Sequence, residues 1–368
     1  MKVFLAFFIL IMNVSLASEI HYLLRSPRGL LMGDAYTTVA KDSFAIFYNP
    51  ASLARAHGFT MTPLNPQIQM PNILSDTDKF SNLPDDPVAV SNEFLGYPIH
   101  LASSVAPGFR MGPFAFSAYV NSNTNIMLTN AVQPTMDLDY RLDRGFMTAY
   151  AFPIGSNRVT AAGGTQLSMG LTLRYNKRKE IKDSYPLFGT TLLDILETSP
   201  DSLSDLMDQF SPAEGRAWGF DLGFEYIMKG GGSELIFGLS FMDALGTKYT
   251  SVDPNNLVAK QEMQTNMGVS FKQSLGVGHL ILSADIHPVM EQVDMTRKLH
   301  FGAALDFGLI EALAGYNAGY MSYGFGLDLY VFELYAGLYE IEVGVDAGQK
   351  KSKRALVYLN LAEFHFDF

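Results

Sequence analysis

From about residue 58 to the end of the chain, apolar side chains recur at every second position. In LSMGLTLRY, Leu167, Met169, Leu171, Leu173 and Tyr175 share one face, and Ser168, Gly170, Thr172 and Arg174 share the other. WGFDLGFEY sets Trp218, Phe220, Leu222, Phe224 and Tyr226 against Gly219, Asp221, Gly223 and Glu225. LHFGAALDF and YGFGLDLYV follow the same scheme. Successive side chains of a strand point to opposite sides of its sheet, so period two means strands with one greasy and one polar face. A water-soluble sandwich alternates as well. Here the apolar faces carry large residues with aromatics towards the strand ends, and the opposite faces carry glycine and charge, as in barrels with lipid outside and water or a plug within. Lipid offers no partner to an open sheet edge, so such strands must close on themselves.

About 14 segments alternate in this way, an even number, as single-chain bacterial barrels require. They lie near 58–70, 97–110, 113–124, 140–153, 164–177, 216–229, 233–245, 260–273, 278–287, 296–308, 310–319, 321–332, 333–345 and 355–368. The expected fold is all-β, a 14-stranded antiparallel transmembrane β-barrel. With the N-terminus in the periplasm, the tight RMGP, MKGGGS, SLGVG and VFE turns fall on the periplasmic side, and the long stretches 71–96, 178–215 and 246–259 fall outside. The chain ends EFHFDF, with Phe364, Phe366 and Phe368 alternating with Glu363, His365 and Asp367. A terminal aromatic on an alternating last strand is the usual ending of proteins inserted by the bacterial barrel-assembly machinery. Asn360 falls in the outward register of this strand, which a bulge would absorb.

No window approaches 18 uninterrupted apolar residues, which removes helical membrane spans. Residues 1–18 read as a secretory signal peptide, with Lys2, an apolar run from Val3 to Met12, and Ser15-Leu16-Ala17 as the cleavage pattern. A net charge of −11 argues against nucleic acid, which needs a basic face. Cysteine is absent, and with it disulfides and thiolate chemistry. His279, His287 and His300 are scattered without metal-ligand spacing, and His300, inward beside Asp306, has no nucleophile neighbourhood. Neither an enzyme nor a cofactor nor a metal is expected.

Residues 19–57 do not alternate. MGDAYTTVAKDS is small and polar, and FAIFYNPASLAR contains Asn49-Pro50, a turn signal with its proline placed to open a short helix. Gly33-Asp34-Ala35-Tyr36, Ala40-Lys41-Asp42-Ser43 and Tyr48-Asn49-Pro50-Ala51-Ser52-Leu53-Ala54 together resemble the N-terminal hatch signature of the FadL/TodX (OMPP1) outer-membrane transporters. PorV-like barrels are similar in this region. Gly33, Asn49, Pro50 and Ala51 carry the motif, and Ser52 stands where glycine is common. The resemblance implies a Gram-negative outer-membrane protein in which residues 19–57 plug a barrel formed by 58–368. Inward carboxylates are expected at Asp221, Glu225, Asp285, Asp306, Asp328, Glu340 and Glu342, against Arg174 and Lys272, while the plug brings Arg25, Arg28, Lys41 and Arg55. Pairing of Arg25, Arg28 and Arg55 with Asp221, Glu225, Asp306 and Asp328 would hold the plug shut; the alternative is carboxylates facing lumen water.

Within the loop 178–215, TTLLDILETSPDSLSDLMDQF predicts two short amphipathic helices separated by Ser199-Pro200-Asp201. The first carries Leu192, Leu193, Ile195 and Leu196, and the second Leu203, Leu206, Met207 and Phe210. In the resembling transporters such helices capture long-chain fatty acids or other hydrophobic molecules; a hairpin lidding the mouth is the plainer reading. Lys350, Lys351, Lys353 and Arg354 in the last outer loop form either a solvated turn or a contact for lipopolysaccharide phosphates. No phosphate-binding loop or TonB-box-like segment is visible. The implied function is passive uptake of a hydrophobic small-molecule ligand by a channel set in outer-membrane lipid. The alternative is a PorV-like partner subunit of a secretion or envelope complex that transports nothing.

Overall fold

The computed structural model describes residues 19–73, 75–81, 87–187, 203–329 and 331–366. Eighteen hydrogen-bonded segments form one sheet. Three wall strands are each broken in two: β1 (Phe59–Thr62 with Gln67–Pro71), β2 (Pro98–Val105 with Gly108–Met111) and β14 (Lys351–Asn360 with Phe364–Phe366). A two-residue segment, Thr250–Ser251, pairs with one neighbour only. The wall therefore has 14 strands. The others are β3 (Phe114–Thr129), β4 (Thr135–Ile154), β5 (Gly164–Pro186), β6 (Ala213–Gly230), β7 (Ser233–Met242), β8 (Gln264–Ser274), β9 (His279–Ile286), β10 (Leu299–Asp306), β11 (Ile310–Asn317), β12 (Tyr320–Asp328) and β13 (Glu333–Glu342). All neighbours are antiparallel, and β14 pairs with β1, Arg354 opposite Pro71 and Phe366 opposite Phe59, which closes the ring.

The outer face has the dimensions of a bilayer. On β5 the outward run Leu167 to Tyr175 measures about 27 Å along the strand, or roughly 20 Å of depth at a tilt of about 40°, close to the ~25 Å apolar band of membrane barrels. Outward side chains stay open around the ring, among them Leu173 at 48%, Phe325 at 47% and Trp218 at 59% exposure. In water that surface would drive association, and in lipid it is solvated.

The strands β3 to β6 are longer than their alternation predicts. β4 has 20 residues and β5 has 23, against 8 in β9 and β10, because the hydrogen-bonded ladder continues past the apolar band. The expected loop 178–215 accordingly shrinks, since strand runs to Pro186 and resumes at Ala213. The extension carries Leu138, Tyr140 and Ile181 on its outer face, where the helix Leu203–Gln209 covers them through Met207, with Leu206 and Phe210 packed alongside. Lys179 fixes the helix by pairing with Asp208 at 3.0 Å. This second helix of the expected pair lies against the outside of the wall. Leu192, Leu193 and Leu196, the signal peptide and Phe368 lie outside the described residues.

The bulge expected near Asn360 is present, and it has a twin. Asn360 faces inwards, 1% exposed, and Phe364 and Phe366 face outwards, with Leu361–Glu363 between the two ladder segments. On β1, Thr62 and Asn65 both face inwards across Pro63 and Leu64, so the neighbouring strand shifts by the same single residue. Pro63, Pro66 and Pro107 cannot donate to a ladder. The Asn65 side chain substitutes for it, accepting from the Ala106 N–H at 2.8 Å and donating to the Ala106 carbonyl at 3.2 Å.

Residues 19–57 lie inside the ring. Short helices at Pro27–Leu31, Ser43–Phe47 and Pro50–Arg55 touch the wall from β2 through β6 on one side and from β11 through β14 on the other. Leu31, Met32, Ala35, Tyr36 and Ala51 are fully buried.

Candidate functional site

The inner segment holds its shape through side chains that cap its own short turns. Ser26 accepts from the Gly29 N–H with Pro27 in the first helical position. Asp42 accepts from the Phe44 N–H at 3.0 Å and also receives the Tyr36 hydroxyl at 2.7 Å. Asn49 caps Pro50–Arg55 by accepting from the Ala51 N–H at 3.1 Å, while its amide donates to the Phe224 carbonyl of the wall at 3.1 Å. A side-chain cap is worth about 1 kcal/mol, and this one also ties the turn to β6. The Ser52 hydroxyl donates to the Asn49 carbonyl at 2.8 Å, so serine is accommodated where the motif commonly has glycine.

The wall receives the segment on a belt of inward glycines that pair across neighbouring strands: Gly170 with Gly223, Gly238 with Gly268, Gly302 with Gly315, and Gly324 with Gly337. A side chain at Gly170, Gly223 or Gly315 would overlap backbone or cap atoms at Ala51, Asn49 and Gly33 respectively. One at Gly302 would come within 2.6 Å of the Met32 carbonyl, and one at Gly324 within 2.6 Å of Leu31. Gly33 itself has φ +64° and presses against β11.

Three arginine–carboxylate pairs join segment and wall, one of them Glu19 with Arg354 of β14 at 2.8 Å, and His21 lies 3.0 Å from Asp139. Arg55 donates to both oxygens of Glu225 at 2.7 and 3.0 Å, and also to the carbonyls of Thr38 and Ala40. Arg28 holds Glu311 through bonds of 2.9 and 3.0 Å. Glu311 escapes sequence reasoning because β11 alternates weakly: alanines sit outwards at 312 and 314 while Leu313 sits inwards. The remaining predicted partners are placed otherwise. Arg25 turns back to Asp34 within its own segment. Asp221 is met by Arg174, which also binds Asp243. Asp306 and Asp328 line a cavity of about 250 Å³ beside Lys41 at the end of the barrel where short turns join β10 to β11 and β12 to β13. Glu340 faces outwards to Lys351 because Tyr339 takes the inward position. The inner wall holds more cations than predicted, since Arg141 and Arg178 both face inwards and share Asp143.

Of His279, His287 and His300, the last two come together, while His279 stands apart opposite Asp306. His287 and His300 stack with ring centroids 3.8 Å apart, beside Asp34, so one carboxylate and two imidazoles cluster in a buried spot. Their nitrogens meet the turn at Gly33–Asp34: His300 Nδ1 lies 3.0 Å from the Gly33 carbonyl and His287 Nε2 lies 3.0 Å from that of Asp34. The Arg25 guanidinium already supplies a cation to Asp34. His300 and Asp306 lie at opposite ends of β10.

Above the segment, towards the long loops, a vestibule of about 870 Å³ opens, lined chiefly by charged and amide side chains such as Asp139, Arg141, Arg178 and Gln264. Aromatic contacts join the segment to β14 and β3, where Phe44 packs on Tyr358 and Phe47 on Tyr119.

No family model matches this chain, and no curated protein does. Among solved structures, the CymD monoaromatic hydrocarbon channel aligns at 10% identity over 95% of this chain and 99% of its own, with a TM-score of 0.47. The TodX monoaromatic hydrocarbon channel deltaS2 mutant aligns at 10% identity over 94% and 99%, with a TM-score of 0.49. The Ralstonia pickettii toluene transporter TbuX aligns at 11% identity over 93% and 98%, with a TM-score of 0.44. Scores this low carry neither a family nor an activity across to this chain.

Proposed function

We propose that this chain is a plugged channel of the Gram-negative outer membrane through which hydrophobic small molecules, long-chain fatty acids among them, pass without an energy source. Residues 19–57 are the plug, and Arg28–Glu311 and Arg55–Glu225 are its latches. The observation that carries this reading is the coincidence of a double bulge in β14 and β1 with the aromatic patch Phe44, Phe47, Tyr119 and Tyr358 immediately inside it. The lumen above is polar, so an apolar molecule finds its compatible route sideways, through the wall where the ladder is weakest. Capture would fall to the surface formed by Leu192, Leu193, Leu196, Leu203, Leu206, Met207 and Phe210. In the described part of it Leu206 and Phe210 keep some surface open, whereas Met207 is buried.

A second reading, a non-transporting partner subunit, is favoured by how completely the inner segment fills its seat. Mass spectrometry of hydrophobic molecules retained by the detergent-extracted protein after saturation with oleate separates the two. The channel is expected to retain the fatty acid and a variant lacking residues 190–210 to lose it. A parent protein that retains none contradicts transport.

A further inference from the structure

Immediately beyond the aromatic row of the outer face stands a row of three cations. Arg144 on β4 is opposite Lys177 on β5, and Lys177 is opposite Arg216 on β6. One rung nearer the bilayer centre, Phe146, Tyr175 and Trp218 occupy the same three strands, with ring centroids 5.6 Å apart for Phe146 and Tyr175 and 5.1 Å for Tyr175 and Trp218. Arg144, Lys177 and Arg216 are exposed, and among the described residues none of them has an ion-pair partner.

Like charges directly opposite on neighbouring strands repel, so the row destabilises the wall unless an anion joins it. One rung further out, the chain answers the same problem with its own carboxylates: Lys179 sits between Asp208 at 3.0 Å and Glu214 at 2.9 Å. The row below receives none, in a protein with 37 acidic residues to 26 basic ones. The basic cluster expected from sequence is different in kind. Lys353 pairs with Asp76 at 3.0 Å, Lys351 approaches Glu340 at 3.5 Å, and Arg354 points inwards to Glu19. Partial burial pushes the Asp76 carboxyl up, and hydrogen bonds from Lys353 and Tyr97 outweigh it and hold the group below its usual range. Three of the four cations of that cluster are compensated from within.

We infer that Arg144, Lys177 and Arg216 bind the phosphorylated headgroup of an outer-leaflet lipid of the lipopolysaccharide type, with its acyl chains lying along Phe146 and Trp218. Neighbouring strands about 4.8 Å apart set the outer two cations roughly 10 Å from each other, a span for two phosphates on one headgroup. The site requires only that the long-loop end of the barrel face the outer leaflet. It is independent of what crosses the lumen, so loss of fatty-acid retention and loss of lipid binding are separate results.

The test is a native mass spectrometry titration of the full-length protein in detergent with lipid A as the probe. The parent is expected to retain one lipid A. Arg144→Gln, Lys177→Gln and Arg216→Gln combined are expected to weaken binding about 100-fold, at the scale of one lipid-facing cation each. Arg144→Lys, Lys177→Arg and Arg216→Lys combined keep the charges, serve as the folding control and should bind as the parent does. Lipid A stripped of its phosphates should bind the parent as weakly as lipid A binds the glutamine variant. Equal binding by the parent and the glutamine variant, or by phosphorylated and stripped lipid, overturns the site. Displacement of lipid A by equimolar inorganic phosphate reassigns the row to a free anion and overturns the lipid.

Discussion

In planar bilayers, Arg28→Glu combined with Arg55→Glu is expected to convert a barrel that passes little ionic current into one that conducts steadily. Each arginine forms a two-pronged contact with a wall carboxylate that is almost out of water: Arg28 with Glu311, and Arg55 with Glu225. Removing one partner of such a pair costs roughly 3–5 kcal/mol, because the other charge is left buried and alone. Reversal adds repulsion to that loss. The caps at Ser26, Asp42 and Asn49 hold the segment's own turns but do little to fix it to the wall, apart from the Asn49 amide on Phe224. Arg25→Glu should change the current far less, since Arg25 pairs within its own segment. Arg28→Glu with Glu311→Arg restores the pair in the opposite sense and should restore the seal. Unchanged current in the double reversal would show that the latches do not hold the plug.

Gly315→Leu and Gly223→Leu are expected to expel the inner segment without unfolding the ring. Overpacking an ordinary core costs about 1–3 kcal/mol because neighbouring side chains can give way. Opposite Gly315 stands the backbone at Gly33, which cannot rotate aside, and opposite Gly223 stand the Ala51 backbone and the Asn49 side chain, which can swing away only by giving up its cap. Limited trypsin digestion reads the outcome, because Arg25, Arg28 and Arg55 are ion-paired inside the ring and become cleavable when the segment leaves its seat. Gly230→Ala is the control, lying in a turn with open space where its Cβ would go. Protection from trypsin in both leucine variants, equal to that of the control, would show that the belt is not a seat.

Period two made the wall legible, because lipid on one side and a filled lumen on the other force each strand to alternate. Strand number, hairpin pairing and even the irregularity at Asn360 follow from that. Legibility ended where the two environments end. Above the cation row the outward face of β3 to β6 no longer meets lipid, so apolar residues such as Leu138 and Tyr140 are covered by a helix and the ladder runs on unannounced. The inward face was legible as glycine and charge, but partners depend on height and angle around the ring. Arg55 reached the expected Glu225, whereas Arg28 found Glu311 on the most weakly patterned strand. The stacked His287 and His300, the glycine belt and the cation row each join residues on different strands, and a linear sequence shows such neighbours only after register is fixed.

The chain contains no cysteine, so one engineered pair can report on the placement of the inner segment inside the ring. A Cβ at Gly238 would lie 2.7 Å from Thr38 Cγ2, which brings the two Cβ positions into the range of about 3.5–4.5 Å that a disulfide spans. Thr38→Cys with Gly238→Cys, oxidised in intact outer membranes and compared on non-reducing gels after cleavage between residues 57 and 238, is the direct measurement. The expected result is a covalent link between the two fragments that reductant releases. Fragments that separate without reductant, with both thiols free to react with a water-soluble maleimide, would place residues 19–57 outside the barrel.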